Sequence, residues 1–353
     1  MSFTITAPAK PRSPWQRFYS AGHRWRRRYW TSRASVLPKP VVSIGNLSWG
    51  GTGKTPMTAA VAAFLRDSGR RVAILSRGYG SKGEGVRIVS RGEGPLLGPR
   101  LGGDEPVLLA GLLPGVSVVV CPDRALAGRH ALERLDEPPD VFLLDDGFSH
   151  LRLARDVEIL LFPSGDPFAG GRLPPGGRLR EPLEASGRAD AAVLTSHLGD
   201  ASAGEALARA LRPHGFSGRG FVASVKTQPA RPYLPAAPSI ESGSPVFVVA
   251  AIARPERLVE NVLDQGFNIV DQLTFPDHHP YPDESLEKVA AAFDASGAEW
   301  VLTTSKDLVK LQGRLERPLA EMPIEAQPEP DFFDWLERRL AKLEATGDAE
   351  PRA

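Results

Sequence analysis

Between Ser43 and Pro56 the chain reads SIGNLSWGGTGKTP, a glycine-rich turn that leads straight into Gly-Lys-Thr. Those residue types suit the grip of a phosphate group. Gly50, Gly51 and Gly53, with Thr52 between them, let backbone N–H groups curl around phosphate oxygens, and a helix starting there adds the partial positive charge of its N-terminus. Lys54 is placed to reach β- and γ-phosphates, and the Thr55 hydroxyl to ligate Mg²⁺. The strict motif opens on glycine five residues before Gly53, where this chain has Ser48. Downstream, Asp145-Asp146-Gly147 follows the apolar run Val141-Phe142-Leu143-Leu144. An acid at the end of such a strand holds Mg²⁺ directly or through water while its neighbour orients it. The competing reading is an Asp-Gly turn that closes the strand.

Three further groups have the chemistry for a site. Asp104-Glu105 stands at a loop-to-helix junction. Asp104 there reads as an N-cap, as a base that accepts a proton from an attacking hydroxyl, or as a further carboxylate of a Mg²⁺ network. Asp277-His278-His279, between Pro276 and Pro280, sets two imidazoles on a stiff loop, where they could bind metal, tune an acid or base, or simply be solvated. Arg124, Arg178 and Arg180 have the guanidinium fork that matches phosphate oxygens, although a single arginine is more often a solvated surface charge.

The elements that must position these groups alternate. Runs at 71–76, 116–121, 141–144, 157–162 and 191–195 read as buried strands separated by helical stretches, with a loop or hairpin at 81–102. This is the pattern of an α/β fold of P-loop NTPase type, a mostly parallel sheet covered by helices on both faces. Near residue 220 the texture changes, and Pro229, Pro232, Pro235 and Pro238 read as a connection. A second, smaller α/β unit follows, and then an amphipathic helix from Phe332 to Leu343. The expected divisions are a basic aromatic segment at 1–35, a P-loop domain at 36–225, a smaller α/β domain at 226–325, and a C-terminal helix and tail at 326–353.

The chain has 353 residues, 42% hydrophobic and 24% charged, which fits a globular protein with room for two cores. The single cysteine, Cys121, excludes an intrachain disulfide framework and a cysteine-cluster metal site. No apolar run approaches the roughly 20 residues that span a bilayer, and no signal-peptide pattern is seen, so the expected location is the cytoplasm. The net charge of +1 hides an asymmetry: residues 1–40 hold nine basic side chains and no acidic one, leaving the rest acidic by eight. Residues 1–12 read as disordered. Ser13-Pro14 then opens a helix with Trp15, Phe18, Tyr19, Gly22, Trp25 and Tyr29 at three- and four-residue spacing and arginines on the other face. Such a helix suits an anionic membrane surface; packing on the protein's own core and binding of nucleic acid are the other readings. For the whole chain, a P-loop switch or partitioning NTPase that binds a protein partner is the main alternative to an enzyme acting on a small acceptor. Ser305-Lys306-Asp307 lacks the intervening residue of a guanine-recognition element, which weighs against GTP.

Taken together, the blocks resemble the tetraacyldisaccharide 4'-kinases, the lipid A 4'-kinases of Gram-negative bacteria. The similar stretches are Ile44 to Leu47 with Gly50 to Pro56, Ser76-Arg77-Gly78-Tyr79-Gly80, Gly103-Asp104-Glu105-Pro106, Asp145 to Phe148 with His150, Leu179-Arg180-Glu181-Pro182-Leu183, Ile252 to Arg257, Phe275 to His279, and Thr303-Thr304 with Lys306-Asp307. The resemblance implies transfer of the γ-phosphoryl group of ATP, with Mg²⁺, to the 4'-hydroxyl of a membrane-embedded disaccharide lipid at the cytoplasmic face of the inner membrane. It implies neither a nucleic-acid ligand nor an obligate protein partner. By motif, Lys54 and Thr55 bind triphosphate and Mg²⁺, Asp145 and Asp146 serve the metal, and Asp104 is the base, paired with His278. Glu105, Arg124, His150, Arg180 and Glu181 support the site or the substrate. Two positions depart from the family pattern: Ser149 stands where Gln is usual, and Ser305 where Glu is usual.

Overall fold

In the computed structural model the described residues are 5, 14–196, 201–234 and 239–346. The readings made for 1–4, 6–13, Pro235, Pro238 and the polar end beyond 346 lie outside them. Helix α1 (Pro14–Thr31) comes first, then β1 (Val41–Asn46), α2 (Lys54–Asp67), β2 (Val72–Ser76), β3 (Arg87–Arg91) and α3 (Pro99–Gly102). Next are α4 (Asp104–Leu112), β4 (Ser117–Val120), α5 (Arg124–Arg134), β5 (Val141–Asp145), β6 (Val157–Pro163), β7 (Ala191–Ser196), α6 (Ala201–Leu211) and β8 (Arg219–Thr227). A second group holds β9 (Arg231–Pro232), β10 (Pro245–Ala250), α7 (Pro255–Asp264), β11 (Asn268–Thr274), α8 (Asp283–Ser296), β12 (Trp300–Thr304), α9 (Ser305–Leu311) and β13 (Leu319–Met322). The chain closes with β14 (Ile324–Pro328) and α10 (Pro330–Thr346).

The first sheet has nine strands in the order β14-β8-β7-β6-β1-β5-β2-β4-β3. Its interior pairs are parallel, and only the outer strands β14 and β3 run antiparallel to their neighbours. Every residue of β1, β2, β5 and β7 is buried, as expected when helices cover both faces of a parallel sheet. The second sheet has five strands in the order β11-β10-β12-β13-β9, again parallel except for β9.

Several local expectations are corrected. The 81–102 stretch, expected as a loop or hairpin, contains one strand, β3, which forms the sheet edge against β4, and the short α3. Residues 219–227, where the texture of the sequence changes, form a strand of the first sheet, β8, which had not been expected. The C-terminal helix is no appendage. Phe332, Trp335, Leu336 and Leu340 of α10 enter the same core as Val61 and Leu65 of α2, and β14 pairs with β8. The chain therefore leaves the first sheet after β8, builds the second, and returns. The two crossings are joined: Gln228 N donates to Pro323 O at 2.7 Å between the β8–β14 and β9–β13 pairings.

Helix α1 divides its surface in two. Tyr19 packs against the cluster around Leu47 and Phe162, Ser20 is buried, and Arg152 lies over the Trp30 ring at 4.4 Å. Tyr19 thus faces the protein and does not belong to the outer aromatic stripe. Phe18, Trp25 and Tyr29 remain exposed on the opposite side, with the exposed Arg17, Arg24 and Arg28 beside them, while the exposed Trp15 donates Nε1 to Pro174 O at 2.9 Å. None of the helices among the described residues is long and apolar enough to cross a membrane.

Candidate active site

Strand β1 ends on Asn46, and the chain turns through Gly50, Gly51, Thr52 and Gly53 into α2, which begins with Lys54 and Thr55. Gly53 is the helix N-cap at φ +77°, a left-handed conformation that a side chain resists, and no side chain caps the helix. A Cβ at Gly50 or Gly51 would meet nothing within 4 Å, so both glycines stand beside open space. The turn is held from within. Buried Asn46 donates Nδ2 to Ser48 O at 2.8 Å and to Thr52 Oγ1 at 2.9 Å, while Thr195 Oγ1 donates to Thr52 O at 3.2 Å. Asn46 Oδ1 accepts from Lys54 Nζ at 3.4 Å and from the Arg180 guanidinium. This asparagine ties the glycine loop to both nearby cations.

Next to β1, strand β5 ends on Asp145, in register with Ile44. Asp145 is buried and accepts from Thr58 Oγ1 at 3.2 Å and Ser76 Oγ at 3.3 Å. Burial, with the charges of Glu105 and Asp146 nearby, pushes its carboxyl well above the usual range. Asp146 is the opposite case. Its φ of +50° swings it toward cations: Arg180 forks onto it at 3.0 and 2.9 Å, and Lys54 Nζ is 3.8 Å away. Burial alone would raise its pKa, but the Arg180 hydrogen bonds and the charges of Lys54, Arg180 and Arg124 outweigh it and hold the carboxyl below its ordinary value. Arg124 is itself buried and donates to Pro122 O at 3.0 Å; burial and Arg77 bring it down to about 10, so it stays charged at neutral pH.

Asp104 and His278 come from different sheets and meet. Asp104 is the first residue of α4, and the cap position belongs to Gly103 at φ +90°, so the N-cap reading of Asp104 is corrected. A Cβ on Gly103 would lie 3.2 Å from Gly78 Cα, which is why glycine stands there: it lets the loop after β2 close on the start of α4. Freed from capping, Asp104 Oδ2 lies 3.4 Å from His278 Nδ1 and 3.6 Å from Lys310 Nζ. Lys306 Nζ is 3.0 Å from His278 Nε2 and 3.5 Å from Glu105 Oε1. An ammonium can only donate, so Nε2 accepts in this contact, and Nδ1, 3.4 Å from Asp104 Oδ2, is left as the ring nitrogen that carries a proton. Tyr79 packs edge-on against the imidazole with centroids 5.5 Å apart.

The remaining candidates separate into roles. His279 turns away from His278: it stacks on Phe275 at 4.6 Å, and its Nε2 is 2.9 Å from Ser285 Oγ. The two imidazoles therefore do not converge on a metal, and no group of three or more His, Cys, Asp or Glu among the described residues does. Arg178 pairs at the surface with Asp166 at 2.7 Å and serves the loop only through its carbonyl, which accepts from Trp49 N at 2.9 Å. Glu181 is buried beneath the site, accepting from Ser149 Oγ at 2.6 Å and from Arg188 at 3.1 Å. The serine at 149 thus keeps a contact with the motif glutamate. His150 is driven down to about 4 by burial and by Arg124 and Arg155, so it is neutral at pH 7. Ser305 begins α9 with a buried hydroxyl, and the cap of that helix is Thr304, which accepts from Asp307 N at 3.1 Å. Sequence reasoning gave no role to Asn46, Lys306 or Lys310. The last two offered one signal, two lysines four apart on a helix that opens at the carboxyl end of an apolar strand.

The fold and the cluster at the ends of β1 and β5 define a mixed α/β protein with a mostly parallel sheet, its charged side chains gathered where such sheets bind ligands. The chain belongs to the tetraacyldisaccharide 4'-kinase family: residues 12–341 match the family described as "Tetraacyldisaccharide-1-P 4'-kinase". A tetraacyldisaccharide 4'-kinase of Pelobacter propionicus is 43% identical over 296 residues, 83% of this chain and 79% of that protein. One from Syntrophus aciditrophicus is 38% identical over 360 residues, 95% of this chain and 96% of its own. The crystal structure of the "apo" form LpxK from Aquifex aeolicus in complex with ATP superposes with a TM-score of 0.72 at 32% identity, covering 93% of this chain and 98% of that one.

Proposed function

We propose that this protein is an ATP-dependent lipid kinase of P-loop type that transfers a γ-phosphoryl group to the 4'-hydroxyl of a tetraacyldisaccharide 1-phosphate. The observation that carries the reading is the meeting of Asp104, at the start of α4, with His278, from the loop after β11, in a protein whose glycine loop leads into a helix start with no side-chain cap. The loop has open space beside Gly50 and Gly51, and Lys54 follows it as the first residue of α2, which supports the binding of a triphosphate. Thr55, Asp145 and Asp146 are the residues that would hold Mg²⁺, which when bound neutralises phosphate charge.

In this reading the acceptor hydroxyl attacks the γ-phosphorus, the bond from phosphorus to the β–γ bridging oxygen breaks, and ADP leaves. The hydroxyl proton passes to Asp104, oriented by His278. Phosphoryl transfer has a loose transition state, so positioning counts for more than basicity. Arg180 holds Asp146, the charge of Arg124 helps to keep that carboxyl ionised, and Glu105 with Lys306 joins the two halves of the site. Closure of the two units over the reacting groups favours transfer to sugar over water. The outer face of α1, aromatic and flanked by arginines, supports docking on an anionic membrane surface, where such an acceptor resides. None of the relatives described above is a switch NTPase. The test is incubation with γ-labelled ATP, Mg²⁺ and disaccharide 1-phosphate lipid. Label on the lipid is the expected result; ATP hydrolysis indifferent to the lipid would refute the reading.

A further inference from the structure

We infer that Lys310 is a positioning residue for phosphoryl transfer, reaching from the second unit to fix the carboxylate of Asp104; this rests on the reading of Asp104 as the base. Lys310 lies in α9 with its side chain only 3% exposed. Its Nζ is 2.8 Å from Asp307 Oδ1 and 3.6 Å from Asp104 Oδ2, donates to His279 O at 3.0 Å, and stands 5.1 Å from the centre of the Tyr281 ring. Asp307 is itself anchored: its Oδ2 accepts from Ala251 N at 2.8 Å and from Thr304 Oγ1 at 3.0 Å. The ammonium therefore has little freedom to move.

Asp307 alone balances the charge of Lys310, so the contact with Asp104 is additional. A buried ion pair is also a poor source of stability, since desolvation offsets the attraction. What this pair supplies is a cation fixed in space at the boundary between the units. The nearest approaches of both Lys310 and His278 are to Asp104 Oδ2, which leaves Oδ1 the less engaged oxygen. Two groups that clamp one carboxylate oxygen set the direction of the other, and that direction decides whether an incoming hydroxyl finds its acceptor. The loop adds to the clamp. His278 has φ +61°, so its ring reaches Asp104 while the carbonyl of the next residue holds Lys310.

The experiment is a mutant cycle on the full-length enzyme. Lys310→Met, Lys310→Arg and the paired variant Lys310→Met/Asp307→Asn are measured in the parent and in an Asp104→Asn background. The paired variant leaves no unmatched buried charge and carries the test if Lys310→Met alone fails to fold. Misplacement of a reacting group costs up to about 10²-fold, so a kcat loss of about 10–10²-fold is expected in the parent, with KM for ATP unchanged and partial recovery in Lys310→Arg. In the Asp104→Asn background the same changes should cost less than about twofold, because the residue they orient can no longer take the proton. A folded paired variant with parental kcat, or an equal loss in both backgrounds, overturns the inference. A fully active Asp104→Asn enzyme overturns the base assignment itself, and the inference with it, and is a result distinct from either.

Discussion

Replacing Phe18 and Trp25 together by serine removes the two most exposed rings of α1, which are 73% and 70% accessible. Neither ring packs on the body of the protein: Phe18 stacks on Trp15 and Trp25 on Tyr29, both along the same face. The fold should therefore be indifferent to the change. An aromatic side chain offers roughly 150–250 Å² of surface, so the pair leaves about 300 Å² uncovered. At about 25 cal/mol per Å² full burial would be worth about 7 kcal/mol, and half-immersion at a headgroup boundary about 3–4 kcal/mol. That corresponds to a drop of roughly 10²–10³-fold in vesicle partitioning. The charge contribution is separate. Changing Arg17, Arg24 and Arg28 to glutamine removes about 1 kcal/mol each near an anionic surface, a loss that fades as salt rises. Co-sedimentation with phosphatidylglycerol vesicles at low and high salt distinguishes the two: the serine variant loses binding at both, the glutamine variant chiefly at low salt. A serine variant that pellets like the parent would show that the exposed rings are not a membrane face.

Lys54→Ala should lower phosphoryl transfer by about 10²–10³-fold, the scale of losing one preorganised charge stabiliser, with the melting temperature unchanged; near-normal transfer by the folded variant would exclude the loop from phosphate binding. Phe332→Ala should destabilise the protein by about 3–5 kcal/mol in chemical denaturation, because its fully buried ring packs on Phe221 and Trp335; a loss under about 1 kcal/mol would mean that α10 is peripheral to the core. Asp140 accepts from Arg71 N at 3.1 Å and from its guanidinium at 2.9 and 2.7 Å, which holds its carboxyl below the ordinary value. A depressed folded pKa gives stability that is complete above the unfolded pKa of about 3.9 and lost as pH falls through the folded one. Asp140→Asn should therefore lower the melting temperature at neutral pH and flatten its acid limb; an acid limb identical to the parent's would refute the pairing.

The glycine loop and the paired acids were legible because their chemistry fixes their spacing: a turn around phosphate needs glycines, and Asp145 is recognisable from the four apolar residues before it. The strands of the parallel interior were legible for a similar reason, since burial on both faces leaves near-continuous runs such as Val72 to Leu75. Strands β8, β13 and β14 escaped. RGFVASVKT, LAEM and IEAQP mix charge with apolar residues in the last or next-to-last strand of a sheet, and β3 was hidden in a glycine- and arginine-rich stretch. Asp104 could be placed but not separated from a helix cap, because that choice depends on Gly103 and on a loop far away in sequence. Lys310 was illegible for a deeper reason. Within SKDLVKL it reads as the polar side of an amphipathic turn, and only the approach of α4 makes it a buried cation.

The return of the chain through β14 has a mechanical consequence. Thr227 pairs with Ile324 on one side of the crossing, and Pro232 with Ala320 and Arg231 with Glu321 on the other, so one antiparallel ribbon runs from the first sheet into the second. A unit hung from a single strand can swivel in any direction. One carried on a two-stranded ribbon resists twist and sideways slip, because each would shear hydrogen bonds such as that from Gln228 to Pro323. Bending across the ribbon's flat face is the soft mode that remains, like a leaf spring. An imidazole and an ammonium mounted beyond that spring travel along one arc, and each stroke brings them back to the same carboxylate from the same side.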